Sequence, residues 1–334
     1  MSERKLPRVA VTMGDPAGVG PELCLRLLAE PTVSDVCVPV VFGDSAILKR
    51  VAARCGLPEP RVMVSHADWP EARVGMLDPA TLEIPTEGMD EVQAGVVSAV
   101  TGRAGYRYVT EAIRAAMAGE VDAICTAPLN KEALRDAGVP FPGHTEILAA
   151  QTGAPRVCMM LTSDEITCAF VTTHVGYHEV PGLLTEERIL NTVELAGAAM
   201  GRLRGRRPKL IACALNPHAG EGGLFGNREE EEIIIPALER ARRSGFDIEG
   251  PLPPDTAFLP WRRKAADCFI CMYHDQGHIP LKALAFDKAI NVTLGLPIVR
   301  TSVDHGTACD IAWQGKANPS SLYEAVNLAA KLAG

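Results

Sequence analysis

The chain has 334 residues, 47% of them apolar and 22% charged, so it can bury a sizeable core and long disorder is excluded. Its formal net charge of −8 removes general attraction to nucleic acid and leaves only local basic pockets for anionic metabolites. No apolar run reaches the roughly 18 residues of a membrane span, and MSERKLPRVAVTMGD lacks a signal-peptide pattern, so a soluble, cytoplasmic protein is expected.

RVAVTM (8–13) reads as a short strand closed by the turn Gly14-Asp15-Pro16-Ala17-Gly18. A helix follows from Pro21, a residue suited to a first helical turn. CVPVVFG (37–43) and VDAICTA (121–127) read as further strands. VCMMLT (157–162) and TCAFVTTH (167–174) can pair as a hairpin about Ser163-Asp164-Glu165. The spacing of Ile189, Leu190, Val193, Ala196 and Met200 predicts a helix over 186–203 with Thr185 as its cap. LIACAL (210–215) is a strand, and the helix expected over 228–243 opens with Asn227 as cap and Glu230 closing a capping box. DCFICMY (267–273) and INVTLG (290–295) are strands, and 319–332 is a final helix. Alternation of this kind predicts an α/β fold with a largely parallel sheet. The ten cysteines lie in apolar runs. Even Cys268 and Cys271, a lone C-x-x-C, read as buried reduced thiols rather than a zinc or redox pair.

Histidine placement carries the first chemical signal. Of eight histidines, His144, His174, His218 and His274 fall at strand ends or in Gly/Pro-rich turns. Ligands of open α/β sheets bind at the carboxyl ends of strands. Imidazoles converging there can hold a divalent cation with positions left open for substrate. His274 and His278 form H-D-Q-G-H, similar to a zinc-hydrolase motif, but Asp275 is a methylene short, Gly277 interrupts a helix and Pro280 would have to lie in its first turn or break it. Lys282, Asn291 and Arg300 form a second signal, a cationic set suited to a phosphate or carboxylate. Thr293, Gly295, Thr301 and Ser302 make the surrounding stretch polar. The third signal is GDPAGVG (14–20), a βα turn whose amides can face an anion at a helix N-terminus. No G-x-G-x-x-G fingerprint and no phosphate loop is present, so an ordinary dinucleotide-binding domain is not expected.

Taken together, VTMGDPAGVGPE (11–22), TAPLNK (126–131), FPGHTE (141–146), TTHV (172–175), LNPHAGEGGLFG (215–226), GPLPPDTAF (250–258), YHDQGH (273–278) and NVTLGLPIVRTSVDHGTACDIA (291–312) resemble the 4-hydroxythreonine-4-phosphate dehydrogenase family, over nearly the whole chain. The resemblance implies a fold like that of isocitrate and isopropylmalate dehydrogenases, two α/β domains with a cleft between them. Residues 1–130 with 285–334 would form one domain, contributing cofactor and substrate contacts. Residues 131–284 would form the other, with the metal ligands and a dimer interface. It implies a homodimer whose active site is shared between subunits, and NAD or NADP as cofactor. It makes His174, His218 and His274 ligands of one divalent ion (Zn, Mg, Mn or Co), one of them donated across the dimer. It places His144, Thr145, Lys282, Asn291 and Arg300 on a small phosphorylated substrate. Gly14, Asp15, Gly18 and Gly295 are the candidate cofactor contacts, and Asp255, Asp275 and Lys282 the candidate catalytic residues. Asp255 and Asp275 can instead orient a histidine.

The family divides by substrate. GHIPLK (277–282) and TAPLNK are more similar to the branch that oxidises 4-phospho-D-threonate or 4-phospho-D-erythronate at C3, with decarboxylation, than to the vitamin B6 branch acting on 4-phosphooxy-L-threonine. A relative that oxidises aromatic cis-dihydrodiols is disfavoured by the intact GHTE and by Lys282, Asn291 and Arg300. Two readings from other classes compete: a metal-dependent hydrolase or aldolase using the same three histidines, and a non-catalytic metabolite-binding protein.

Overall fold

Short apolar runs punctuated by turns become twelve strands among the described residues of the computed structural model, which are 6–60, 63–72, 78–285 and 288–334. They are β1 (Arg8–Thr12), β2 (Val38–Gly43), β3 (Met63–Val64), β4 (Ala80–Glu83), β5 (Ala123–Thr126), β6 (Cys158–Thr162), β7 (Thr167–Phe170), β8 (Lys209–Cys213), β9 (Asp247–Leu252), β10 (Cys268–Cys271), β11 (Ile290–Leu294) and β12 (Val299–Val303). The chain divides into two compact units, Met1–Pro155 with Leu296–Gly334, and Arg156–Gly295.

In the first unit the strands run β3-β4-β2-β1-β5-β12, every neighbouring pair parallel. All six residues of β2 are buried, the expected state of a parallel strand covered on both faces. The Ala99–Met117 helix starts where the Ser98 hydroxyl accepts from the Thr101 amide. Gly102 lets a second helix lie against it, since a Cβ there would stand 2.0 Å from the Ala133 carbonyl oxygen. The Lys131–Asp136 and His144–Thr152 helices both pack on Ala99–Met117. Residues 131–155 therefore belong to this unit, whereas the sequence places them in the second domain. Residues 285–295 differ in the opposite sense, because β11 pairs with β6 of the second unit.

The second unit orders its strands β11-β6-β7-β10-β8-β9. β6 is antiparallel to both β11 and β7, and the rest are parallel. The β6–β7 hairpin forms where expected, its Ser163 hydroxyl donating to the Ile166 carbonyl at 3.1 Å. The Glu186–Arg204 helix is capped by Thr185, as the pattern predicts, and stops at Gly205 in left-handed backbone. The helix after Asn227 departs from expectation. It begins as a π-helical turn at Glu230–Ile234 and becomes α-helical from Ile235. Glu230 makes no capping box because its carboxylate accepts from the Leu215 and Asn216 amides instead. Cys168, Cys213 and Cys271 sit in the unit's apolar core, and all ten cysteines are free thiols. Burial pushes the Cys268 and Cys271 thiols well up, so the C-x-x-C is core packing.

The sequence treats Gly277 as a helix break, yet His274–Ala285 is one helix containing both Gly277 and Pro280. A Cβ at Gly277 would lie 2.7 Å from Phe170 Cε1, 2.8 Å from Cys271 Sγ and 3.0 Å from Cys168 Cβ. Glycine is thus needed for helix-on-sheet contact. Gly277→Ala would gain about 1 kcal/mol of helix propensity but lose about 1–3 kcal/mol to overpacking. A lower Tm is expected, and calorimetry showing an unchanged or higher Tm would contradict this packing. No helix among the described residues is long and apolar enough to cross a membrane.

Candidate active site

Two histidines of the second unit meet. His174 lies just beyond β7 in left-handed backbone (φ 53°), and His274 opens the helix that follows β10. Their ring centroids are 5.5 Å apart. Two imidazoles binding one zinc at about 2.0–2.1 Å in tetrahedral geometry would stand roughly 5 Å apart, centroid to centroid, so the pair fits half of a ligand set. Asp275 Oδ1 lies 2.7 Å from His274 Nδ1. A carboxylate acceptor there places the proton on Nδ1 and leaves the Nε2 lone pair for a cation. Asp275 Oδ2 accepts a hydrogen bond from the Tyr177 hydroxyl. These bonds, the Tyr177 one first, hold the Asp275 carboxyl below its ordinary range. His174, Val175, Tyr177, Val180, Tyr273 and His274 help line a cavity of about 320 Å³.

His278 does not chelate with His274. Its ring stacks flat on that of His274, with centroids 3.5 Å apart and planes 9° apart, and packs on Phe170 at 4.6 Å. Parallel stacked rings cannot aim their lone pairs at one ion.

The structure does not bring His218 to this pair. It sits 65% exposed in the 217–222 turn, near Glu221 and edge-on to Phe225. His218, Ala219 and Glu221 all have positive φ, a costly run for non-glycine residues. Glu230 anchors the approach to this turn with bonds to Leu215, Asn216 and the Asn216 side chain. Among the described residues no three His, Cys, Asp or Glu side chains form a group that could hold a metal ion. Asp255 is exposed on the Pro254–Ala257 helix, which packs against the His218 turn. Lys282 lies on the same helix as His274, half-buried. Asn291 pairs opposite Leu161, and its Oδ1 is buried without a hydrogen-bond partner among the described residues.

The first unit gathers a different polar group. Arg300, 3% exposed, donates from Nη2 to the Thr126 hydroxyl at 2.6 Å. Burial pulls its guanidinium down to about 10, so it stays charged at neutral pH. His144 opens the His144–Thr152 helix with Thr145 next to it. The His144 Nε2 is shut from solvent and has no hydrogen-bond partner among the described residues. Burial first, then the Arg300 guanidinium, hold His144 well below the usual imidazole range, so it is neutral at pH 7. Once unfolded, the same side chain titrates at about 6.5. As pH falls through that value the unfolded chain binds a proton that the native state refuses, and stability drops. His144→Asn removes this component. Between about pH 7 and about pH 5 its Tm should fall less than that of the unaltered protein; parallel falls would place the acid sensitivity elsewhere.

The remaining expected cofactor contacts are packed. Asp15 is 2% exposed, and its carboxylate accepts from the Ala17 amide and the Thr101 hydroxyl. The Asp15, Gly18 and Val19 amides donate to Pro128, Asp15 and Thr307. An anion at this turn would have to displace those bonds. Gly295 is in left-handed backbone against the Arg156 carbonyl oxygen, which a Cβ would approach to 2.3 Å. Sequence reasoning missed Thr126 and Tyr177. Thr126 had a signal, a polar residue ending an apolar strand, and Tyr177 had none.

A family model described as "Pyridoxal phosphate biosynthetic protein PdxA" matches residues 35–329. A 4-hydroxythreonine-4-phosphate dehydrogenase from Geobacter metallireducens is 46% identical over 327 residues, 98% of this chain and 96% of that protein. A D-threonate 4-phosphate dehydrogenase from Cupriavidus necator is 44% identical, covering 98% of each chain. The solved structure of a 4-hydroxythreonine-4-phosphate dehydrogenase from Klebsiella pneumoniae has a TM-score of 0.87 at 39% identity, with 98% of this chain and 100% of that chain covered.

Proposed function

The chain belongs to the PdxA family and is an NAD(P)-dependent dehydrogenase, and from that premise we propose that it oxidises the C3 hydroxyl of 4-phospho-D-threonate or 4-phospho-D-erythronate, with decarboxylation. The substrate class is supported by the D-threonate 4-phosphate dehydrogenase relative, and the observation that carries the metal-dependent part of the reading is the His174–His274 pair with Asp275 on the far nitrogen of His274.

In this reading His174 and His274 hold a divalent cation, with His218 supplied by a second copy of the chain. Support for that copy is local. His218 stands away from the pair and exposed, while Leu224 beside it and Tyr177 beside the pair are 71% and 67% exposed large apolar side chains. The cation supplies Lewis acidity that lowers the pKa of the substrate alcohol, and the bound dinucleotide supplies the hydride acceptor. The chain's own residues do the rest. Asp275 orients His274, since both its oxygens are engaged. Proton removal then falls to Asp255, which travels with the His218 turn. In the first unit Arg300 grips the phosphate, with the buried Nε2 of His144 as a further polar contact; in the second unit Lys282 and the buried Oδ1 of Asn291 are the proposed substrate contacts. Such gripping turns binding into orientation of C3. Oxidation at C3 gives a β-keto acid, which loses carbon dioxide readily.

The vitamin B6 substrate, 4-phosphooxy-L-threonine, is the second reading, favoured by the name of the Geobacter metallireducens relative. Reduced nicotinamide formation should be followed side by side with 4-phospho-D-threonate, 4-phospho-D-erythronate and 4-phosphooxy-L-threonine. The sugar-acid reading expects the highest kcat/KM on one of the first two. A preference for the third would transfer the assignment.

A further inference from the structure

We propose that Tyr177 is a positioning residue of this centre: by bonding Asp275, its hydroxyl fastens the His174 loop to the His274 helix and fixes the ring nitrogen that His274 offers to a cation. The inference rests on the metal reading above.

The loop that carries His174 is pinned on both sides. Before it, the Thr172 hydroxyl donates to the Met272 carbonyl at 2.7 Å. After it, the Tyr177 hydroxyl donates to Asp275 Oδ2. The two pins land on either side of His274, so together they set the spacing of the two imidazoles. The Tyr177 ring also meets the Tyr273 ring edge-on, with centroids 5.9 Å apart and planes 81° apart. One side chain thus touches both neighbours of His274 in sequence, Tyr273 and Asp275. Apolar burial within its own chain does not explain its placement, because Tyr177 is 67% exposed there. The loop itself needs holding, since His174 has positive φ. With Asp275 Oδ2 occupied by Tyr177, Oδ1 faces His274 Nδ1. That bond selects the tautomer with a free Nε2.

Tyr177→Phe keeps the ring contact and deletes only the hydroxyl. Zinc affinity of the metal-stripped, full-length protein would be measured by competition with a chromophoric chelator. An affinity about 10- to 100-fold weaker is expected, with the metal-free Tm unchanged. Asp275→Asn should show a similar loss. The double variant Tyr177→Phe/Asp275→Asn should bind no more weakly than Asp275→Asn alone, because the two groups act as one. Zinc affinity equal to that of the unaltered protein, or losses that multiply in the double variant, would overturn the inference and leave the metal reading standing. An unaltered protein that binds no zinc would remove both. If Tyr177→Phe does not fold, ¹⁵N-histidine NMR of the unaltered zinc-loaded protein decides: Nδ1-protonated His274 supports the inference, and an Nε2 proton contradicts it.

Discussion

On the proposed metal reading, His274→Ala should abolish zinc binding and lower kcat/KM by about 10³-fold or more, about 4 kcal/mol of transition-state stabilisation. The fold should survive, because the His274 side chain is about a third exposed and its stacking partner His278 keeps its contact with Phe170. Metal content after dialysis, circular dichroism and steady-state kinetics measure the three quantities. The effect is large because removing one imidazole of the pair also leaves Asp275 and Tyr177 orienting nothing. A variant that keeps its zinc would separate the pair from the metal.

Arg300→Lys is the second large effect. Lysine keeps the charge but lacks the planar fork, so it cannot both hold Thr126 and meet a phosphate in a bidentate way. Hydrogen bonds to charged groups contribute about 1.5–3 kcal/mol each. Losing one or two from the phosphate raises KM for the phosphorylated substrate by roughly 10²-fold. KM for the dinucleotide should stay near its original value. Equal rises in both constants would mean that Arg300 shapes the unit rather than grips substrate.

Features carried by local pattern were legible in the sequence. Thr185 caps its helix and Ser163 turns its hairpin, because each depends on neighbours within a few residues. Features set by distant partners were not. Glu230 has the spacing of a capping box, but the Leu215 and Asn216 amides compete for its carboxylate. Gly277 reads as a helix breaker until Phe170 and Cys271 are seen against it. The unit boundary falls at 156 rather than 131, with the Lys131–Asp136 and His144–Thr152 helices packed on Ala99–Met117, contacts between segments distant in the chain. The site divides in the same way. Histidines at strand ends announced themselves, and His174 and His274 do meet. Tyr177 reaches Asp275 across 98 residues and Arg300 reaches Thr126 across 174, separations that a single sequence does not reveal.

The most direct test is to strip the purified enzyme with a chelator and follow reduced nicotinamide formation on 4-phospho-D-threonate before and after adding back zinc or cobalt. Activity should vanish with the metal and return with it, and should not return in His174→Ala or His274→Ala. Full turnover by metal-free protein would contradict the account.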